Sequence, residues 1–159
     1  MILITLKELN DSFHSLKTAA ESLTAGKMKY RFARVLKSAT DEVELLGKAL
    51  AELAQKHGAE MLGGNRFQFG NKPREEMSAQ EKAAVDEKLK AFNIEADAMM
   101  RSEMVELWGD PEFFKFDDLE KAADPKNPIN AADLANLLWL ISDGESADPE
   151  PPKAASAAA

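Results

Sequence analysis

The sequence predicts a mainly α fold with a small β component: an antiparallel two-helix hairpin, a third helix, a short β-hairpin and a C-terminal helix. Three observations carry that expectation. Two long apolar stripes run at helical spacing, a short glycine-bearing break separates them, and two later stretches alternate apolar and polar residues as strands do.

The first stripe is Leu6, Leu9, Phe13, Leu16, Ala20 and Leu23. Steps of three and four place all of these on one face of a helix. Thr24-Ala25-Gly26 interrupts it, and Gly26 suits a helix end. The second stripe is Phe32, Leu36, Ala39, Val43, Leu46, Leu50 and Leu53, with Gly58 as its stop. Matched stripes across a short break fold back on each other. Each large side chain buried in such a seam contributes about 1.5–3 kcal/mol. Leu45, Ala49 and Ala54 widen the apolar face of the second helix, so it is expected to touch more than one neighbour, in the chain or in a partner subunit.

Gly63-Gly64-Asn65 is turn chemistry, and Arg66-Phe67-Gln68-Phe69 alternates as a short strand. Ser78-Ala79-Gln80-Glu81 is a capping box that announces the third helix, continued by Val85, Leu89, Phe92 and Ala96 to about Met100. From Glu103 to Leu119 the pattern reads as a small hairpin: Val105 and Leu107 alternate, Gly109-Asp110-Pro111 turns, and Phe114 and Phe116 alternate again. The last helix starts after Pro128, with Asn130 as cap and Ala131 to Ile141 as body. It is apolar on most sides, so it is expected to be buried or docked. From Ser142 the composition turns acidic and rich in Pro and Ala, which divides the chain into a domain over 1–142 and a tail over 143–159.

With 159 residues, 45% hydrophobic and 30% charged, the chain has one domain's worth of core. It has no cysteine, which excludes disulfides, thiolate catalysis and Cys-based zinc sites, and fits a reducing compartment. The opening residues Met1 to Lys7 lack the basic flank and the longer apolar stretch of a signal peptide, and no run approaches the ~20 apolar residues of a membrane span. A soluble protein without a membrane association is expected. The net charge of −8 is uneven: residues 1–77 carry 12 basic and 10 acidic side chains, whereas residues 78–159 carry 8 and 18. That division argues against nucleic acid as a ligand of the whole surface, yet leaves room for a local basic site.

The local site is the cluster Lys27, Lys29, Tyr30, Arg31, Arg34 and Lys37, with five cations in eleven residues and no acid before Asp41. A helix N-terminus carries partial positive charge and prefers acids, so cations there are unfavourable unless an anion offsets them. Two readings are open: a binding site for an acidic partner, or internal pairing with the acidic second half. The carboxylates Asp41, Glu42, Glu44, Glu81, Asp86, Glu87, Glu95 and Asp97 invite comparison with helical magnesium sites, which pair a Glu-x-x-Glu with a Glu-x-x-Asp. Only Asp41-Glu42-Val43-Glu44 approximates the first motif and the second is missing, so a solvated face is expected. His14 and His57 are too few for a metal site, and neither a nucleophile elbow nor a phosphate loop occurs. No catalytic residue, metal site or cofactor is predicted, and the chain does not read as an enzyme. Trp108, Phe113 and Trp139, with Phe114 and Phe116, are either core or, where exposed, a protein-binding patch.

Leu6-Lys7-Glu8-Leu9, the Lys-x-x-Tyr-x-x-x-Arg run from Lys27 to Arg34, the stretch from Met104 to Leu119, and Ala132-Asp133-Leu134 follow in an order that resembles a group of small phage and prophage proteins of unknown function. The likeness covers most of the chain up to residue 142 and departs from the group at Gly63-Gly64 and in the Ala-rich tail. It implies a viral or prophage context, in a bacterial cytoplasm or in a virion, and carries no mechanism. The functional expectation is an accessory or structural protein that binds a viral or host protein, as a homo-oligomer or within an assembly. The alternative is an acidic inhibitor of a host defence or nucleic-acid-processing enzyme, its second half imitating a phosphate backbone.

Overall fold

Thr5 ends one element and starts the next. In the computed structural model, which describes residues 1–24 and 26–142, strand β1 (Ile2–Thr5) runs directly into helix α1 (Leu6–Ser22). The Thr5 hydroxyl accepts the Glu8 N–H at 3.1 Å while the Glu8 carboxylate accepts the Thr5 N–H at 2.8 Å, a reciprocal cap on the first turn. Helix α2 (Lys27–Lys56) follows after a short link and packs against α1, so the hairpin of two helices is present. Leu9, Leu16 and Leu23 from α1 and its C-cap join Phe32, Val35 and Ala39 from α2 in the main core.

The buried face of α1 is wider than its apolar stripe. Ser12, Ser15 and Ser22 are buried, whereas Phe13 and Ala20 are half-buried. For Ser12 and Ser15 the cause is a second neighbour, the C-terminal segment. Asn136 Nδ2 donates to Ser15 Oγ and Trp139 Nε1 donates to Ser12 Oγ, each at 3.0 Å, and the Ser12 hydroxyl itself donates to the Glu8 carbonyl at 2.6 Å. Small hydroxyls let the segment approach closely and keep its polar groups paired.

The expected hairpin across 103–119 is not formed. Strand β4 (Met104–Leu107) pairs antiparallel with β1, in the register Ile2 with Leu107 and Thr5 with Met104. Beyond it, Asp110 caps a 3-10 turn at Pro111–Phe113, and Phe116–Ala122 is helix α4. The apparent alternation of Phe114 and Phe116 comes from two different elements: Phe114 closes the turn fully buried, and Phe116 opens the helix at the surface. The β-hairpin of this fold lies earlier, where β2 (Glu60–Gly63) pairs with β3 (Arg66–Gln68) around Gly63 and Gly64, both at positive φ. Strand β2 gave no alternating signal because all four of its residues are exposed.

Helix α3 (Ala79–Ser102) begins at the Ser78–Glu81 capping box and buries only Phe92 and Ala96. These meet Ala54 and Ala59 in a second, smaller core flanked by Leu50, Leu53, Phe67 and Phe69. The last helix, α5 (Ala131–Asn136), is shorter than the 131–141 expected. The chain tightens into turns after it, with the Leu140 N–H bonding the Leu137 carbonyl at 2.9 Å. Leu137, Leu140 and Ile141 are thereby driven into the core while Leu138 is 68% exposed, so an apolar run that looked all-round is turned inward by an irregular end. The tail over 143–159 lies outside the described residues. No described helix is long and apolar enough to cross a membrane.

Candidate binding site

The basic cluster occupies the first three turns of α2. Gly26, at φ +113, precedes it with no side-chain cap, and the first turn holds no acid. Phe32, Val35 and Ala39 point into the core, which leaves Lys27, Tyr30, Arg31, Arg34 and Lys37 on the outer side. Strand β4 and the turn after it then place two rings against that side. The Arg31 guanidinium carbon lies 4.3 Å from the centroid of Phe113, and that of Arg34 lies 4.0 Å from Trp108. The two rings are 6.1 Å apart and tilted by 35°. Two groups of residues singled out separately in the sequence, the cations and the aromatics, thus form one patch.

The patch is held from below. The Trp108 N–H donates to the Ser38 hydroxyl of α2 at 3.1 Å. Gly109 follows at φ +146, and a Cβ there would sit 3.0 Å from Ile2 Cδ1 and 3.3 Å from Val35 Cγ2, so the backbone passes close between β1 and α2 in a conformation that favours glycine. Phe113 leans on Phe114, which meets Phe32 edge to face at 5.6 Å. The outer rings are continuous with the core.

The electrostatics follow from the stacking. A guanidinium over the face of a ring is stabilised by the ring's negative face. Lys37 pairs with Asp41 at 3.0 Å, both well exposed. Among the described residues, no carboxylate pairs with Lys27, Lys29, Arg31 or Arg34. The acidic second half does meet the cluster, but through Trp108 and Phe113 and not through its acids. Tyr30, 65% exposed, stands beside the arginines with its ring in solvent.

The other residues singled out in the sequence are dispersed. Trp139 lies on the far side of α1, engaged with Ser12, and does not join Trp108 and Phe113. His57 packs edge-on to Phe92 with Nε2 2.7 Å from the Glu95 carboxylate, while His14 is exposed on α1. Lys56 and His57 beside Glu95 hold its carboxyl below the ordinary range, as Arg74 does for Asp86 and Lys72 for Glu81. Among the described residues, no three His, Asp or Glu side chains converge on a point where a metal ion could sit. A cleft of about 390 Å³ opens between α4 and α5, with Leu119, Ile129 and Leu134 as its apolar wall and Glu120 and Asp124 as its ionisable residues. It offers neither a nucleophile beside a base nor a cation.

Ser38 was not singled out in the sequence, and Gly109 was read there only as part of a turn. Each is a common residue in an unremarkable context, and its role arises only when β4 crosses α2. Comparison with known protein families, with curated proteins and with solved structures finds no match for this chain.

Proposed function

We propose that this chain is a binding protein, an accessory or structural component of a phage or prophage assembly, which docks an acidic protein surface on the patch around Arg31 and Arg34. The observation that carries the reading is the pair of stacked guanidinium groups without carboxylate partners among the described residues. Seating over the rings holds two guanidinium groups in place before any partner arrives, which lowers the ordering cost of a contact to them. Carboxylates match that geometry, and Tyr30 and Trp108 supply the amphipathic contact area that protein interfaces favour. A duplex nucleic acid would require a far broader basic surface than five cations on one helix end, in a chain of net charge −8. The phage resemblance sets the context, in a bacterial cytoplasm or a virion.

The test is comparative capture. The full chain and an Arg31→Glu/Arg34→Glu variant are used as bait in phage-infected bacteria, with the variant's fold checked by circular dichroism. A partner is expected that the parent retains, the variant loses, and added salt releases. Capture of the same proteins by both baits, or release unaffected by salt, would refute the patch as the docking site.

A further inference from the structure

Helix α3 turns Phe92 and Ala96 inward and leaves the opposite face in solvent along its full length. That outer face carries Ile94, 63% exposed, and Leu89, 37% exposed, set among charges of both signs. The order of those charges is acid, base, acid, base: Asp86, Lys90, Asp97, Arg101. The sequence of the face is therefore complementary to its own reverse. Laid antiparallel against a second copy about an axis between Asn93 and Ile94, Lys90 meets Asp97 of the copy and Asp86 meets Arg101 of the copy. The two exposed isoleucines meet beside the axis. At a rise of about 1.5 Å per residue, the inner charge pairs lie about 5 Å and the outer pairs about 11 Å to either side of the axis. A parallel arrangement of the same face would set each charge against its like.

Two ion pairs already present extend the pattern. Arg74 holds Asp86 in a fork, with its two nitrogens at 2.7 and 3.0 Å from the two carboxylate oxygens. Arg101 donates to Asp97 at 2.7 Å. Across the axis, Arg74, Asp86, the copy's Arg101, the copy's Asp97 and Lys90 alternate in sign without a break, twice over by symmetry.

We infer that the outer face of α3 is a self-association surface, and that its occupant is a second copy of this chain, antiparallel about a two-fold axis between Asn93 and Ile94. The α2 patch lies on a different face, so the failure of either reading leaves the other standing. One helix pair buries less than a standard interface, so the association is weak and salt-sensitive.

Charge reversal tests the register directly. In Lys90→Glu, both inner pairs become acid on acid, and in Asp97→Lys both become base on base. Mixed together, the two variants pair Glu with Lys and Asp with Lys, and the complementarity is restored. Sedimentation velocity on the full chain at low salt is expected to show the parent rising above its 17.4 kDa mass as concentration increases. Each variant alone is expected to associate about tenfold more weakly or worse, with an unchanged circular dichroism spectrum, and the equimolar mixture to recover the parent's behaviour. A parent mass independent of concentration, variants that associate like the parent, or a mixture that fails to recover would each overturn the inference.

Discussion

Replacing Gly109 by alanine tests the crossing on which the patch is built. Two costs add. At φ +146 a side chain is strained by about 1–3 kcal/mol whatever the space around it. The new Cβ would also press on Ile2 Cδ1 at 3.0 Å and Val35 Cγ2 at 3.3 Å, with Phe114 Cε2 at 3.7 Å behind them. Val35 and Phe114 are fully buried and cannot yield into solvent, so overpacking costs about 1–3 kcal/mol more. The total, about 2–6 kcal/mol, is a large share of the roughly 5–15 kcal/mol that keeps a domain folded. Gly64→Ala is the reference: it also sits at positive φ, but a Cβ there meets nothing within 4 Å, so only a backbone cost of about 1–2 kcal/mol remains. Urea unfolding followed at 222 nm, with a common slope for both variants, measures the difference. If Gly109→Ala lies within about 0.5 kcal/mol of Gly64→Ala, the backbone does not pass where described and the seating of Trp108 is wrong.

Three further outcomes are expected. A double-mutant cycle between Arg34→Ala and Trp108→Ala should give a coupling of about 0.5–1 kcal/mol, the range for an exposed cation over a ring, and a coupling of zero would dissolve the stacked pair. Ser12→Ala should lower stability by about 1 kcal/mol through the lost Trp139 contact, and much less in a Trp139→Phe background; equal losses in both would break that link. The carboxyls of Glu81, Asp86 and Glu95 are held below their ordinary values by Lys72, by Arg74, and by Lys56 with His57. A carboxyl depressed in the folded state contributes stability that is present above its ordinary value and fades as pH falls through the folded one. Stability should therefore decline below about pH 4.5, with a shallower decline in Glu95→Gln, and an identical acid limb in that variant would remove Glu95 from the account.

Local signals in the sequence reported local structure well. The stripes through Leu16 and through Phe32 found the helical hairpin, and Ser78 with Glu81 marked the start of α3 to the residue. Reading failed where the determining contact is distant. Met104–Leu107 looked like half of a nearby hairpin, but its partner is Ile2–Thr5, and no local pattern separates the two pairings. The serines of α1 read as polar because the segment that buries them arrives 121 to 127 residues later. The site was legible as two lists, cations and rings. Their union was not, since nothing in the spacing from Arg34 to Trp108 foretells that a strand will lay one on the other.

The pairing of β1 with β4 has a consequence during synthesis. The first and fourth strands are the two halves of one sheet, so the amino-terminal edge emerges from the ribosome long before its complement exists. Helices α1 and α2 are complete once residue 56 is out, yet the residues that cover Ser12 and Ser15 come at 136 and 139. At roughly 5–20 residues per second that gap lasts about 4–17 seconds. Until residue 107 is out a nascent chain displays an unpaired strand, and until residue 139 the Ser12 and Ser15 face of α1 stays uncovered; a product truncated before residue 136 keeps that face bare permanently, as a ready client for chaperones and proteases.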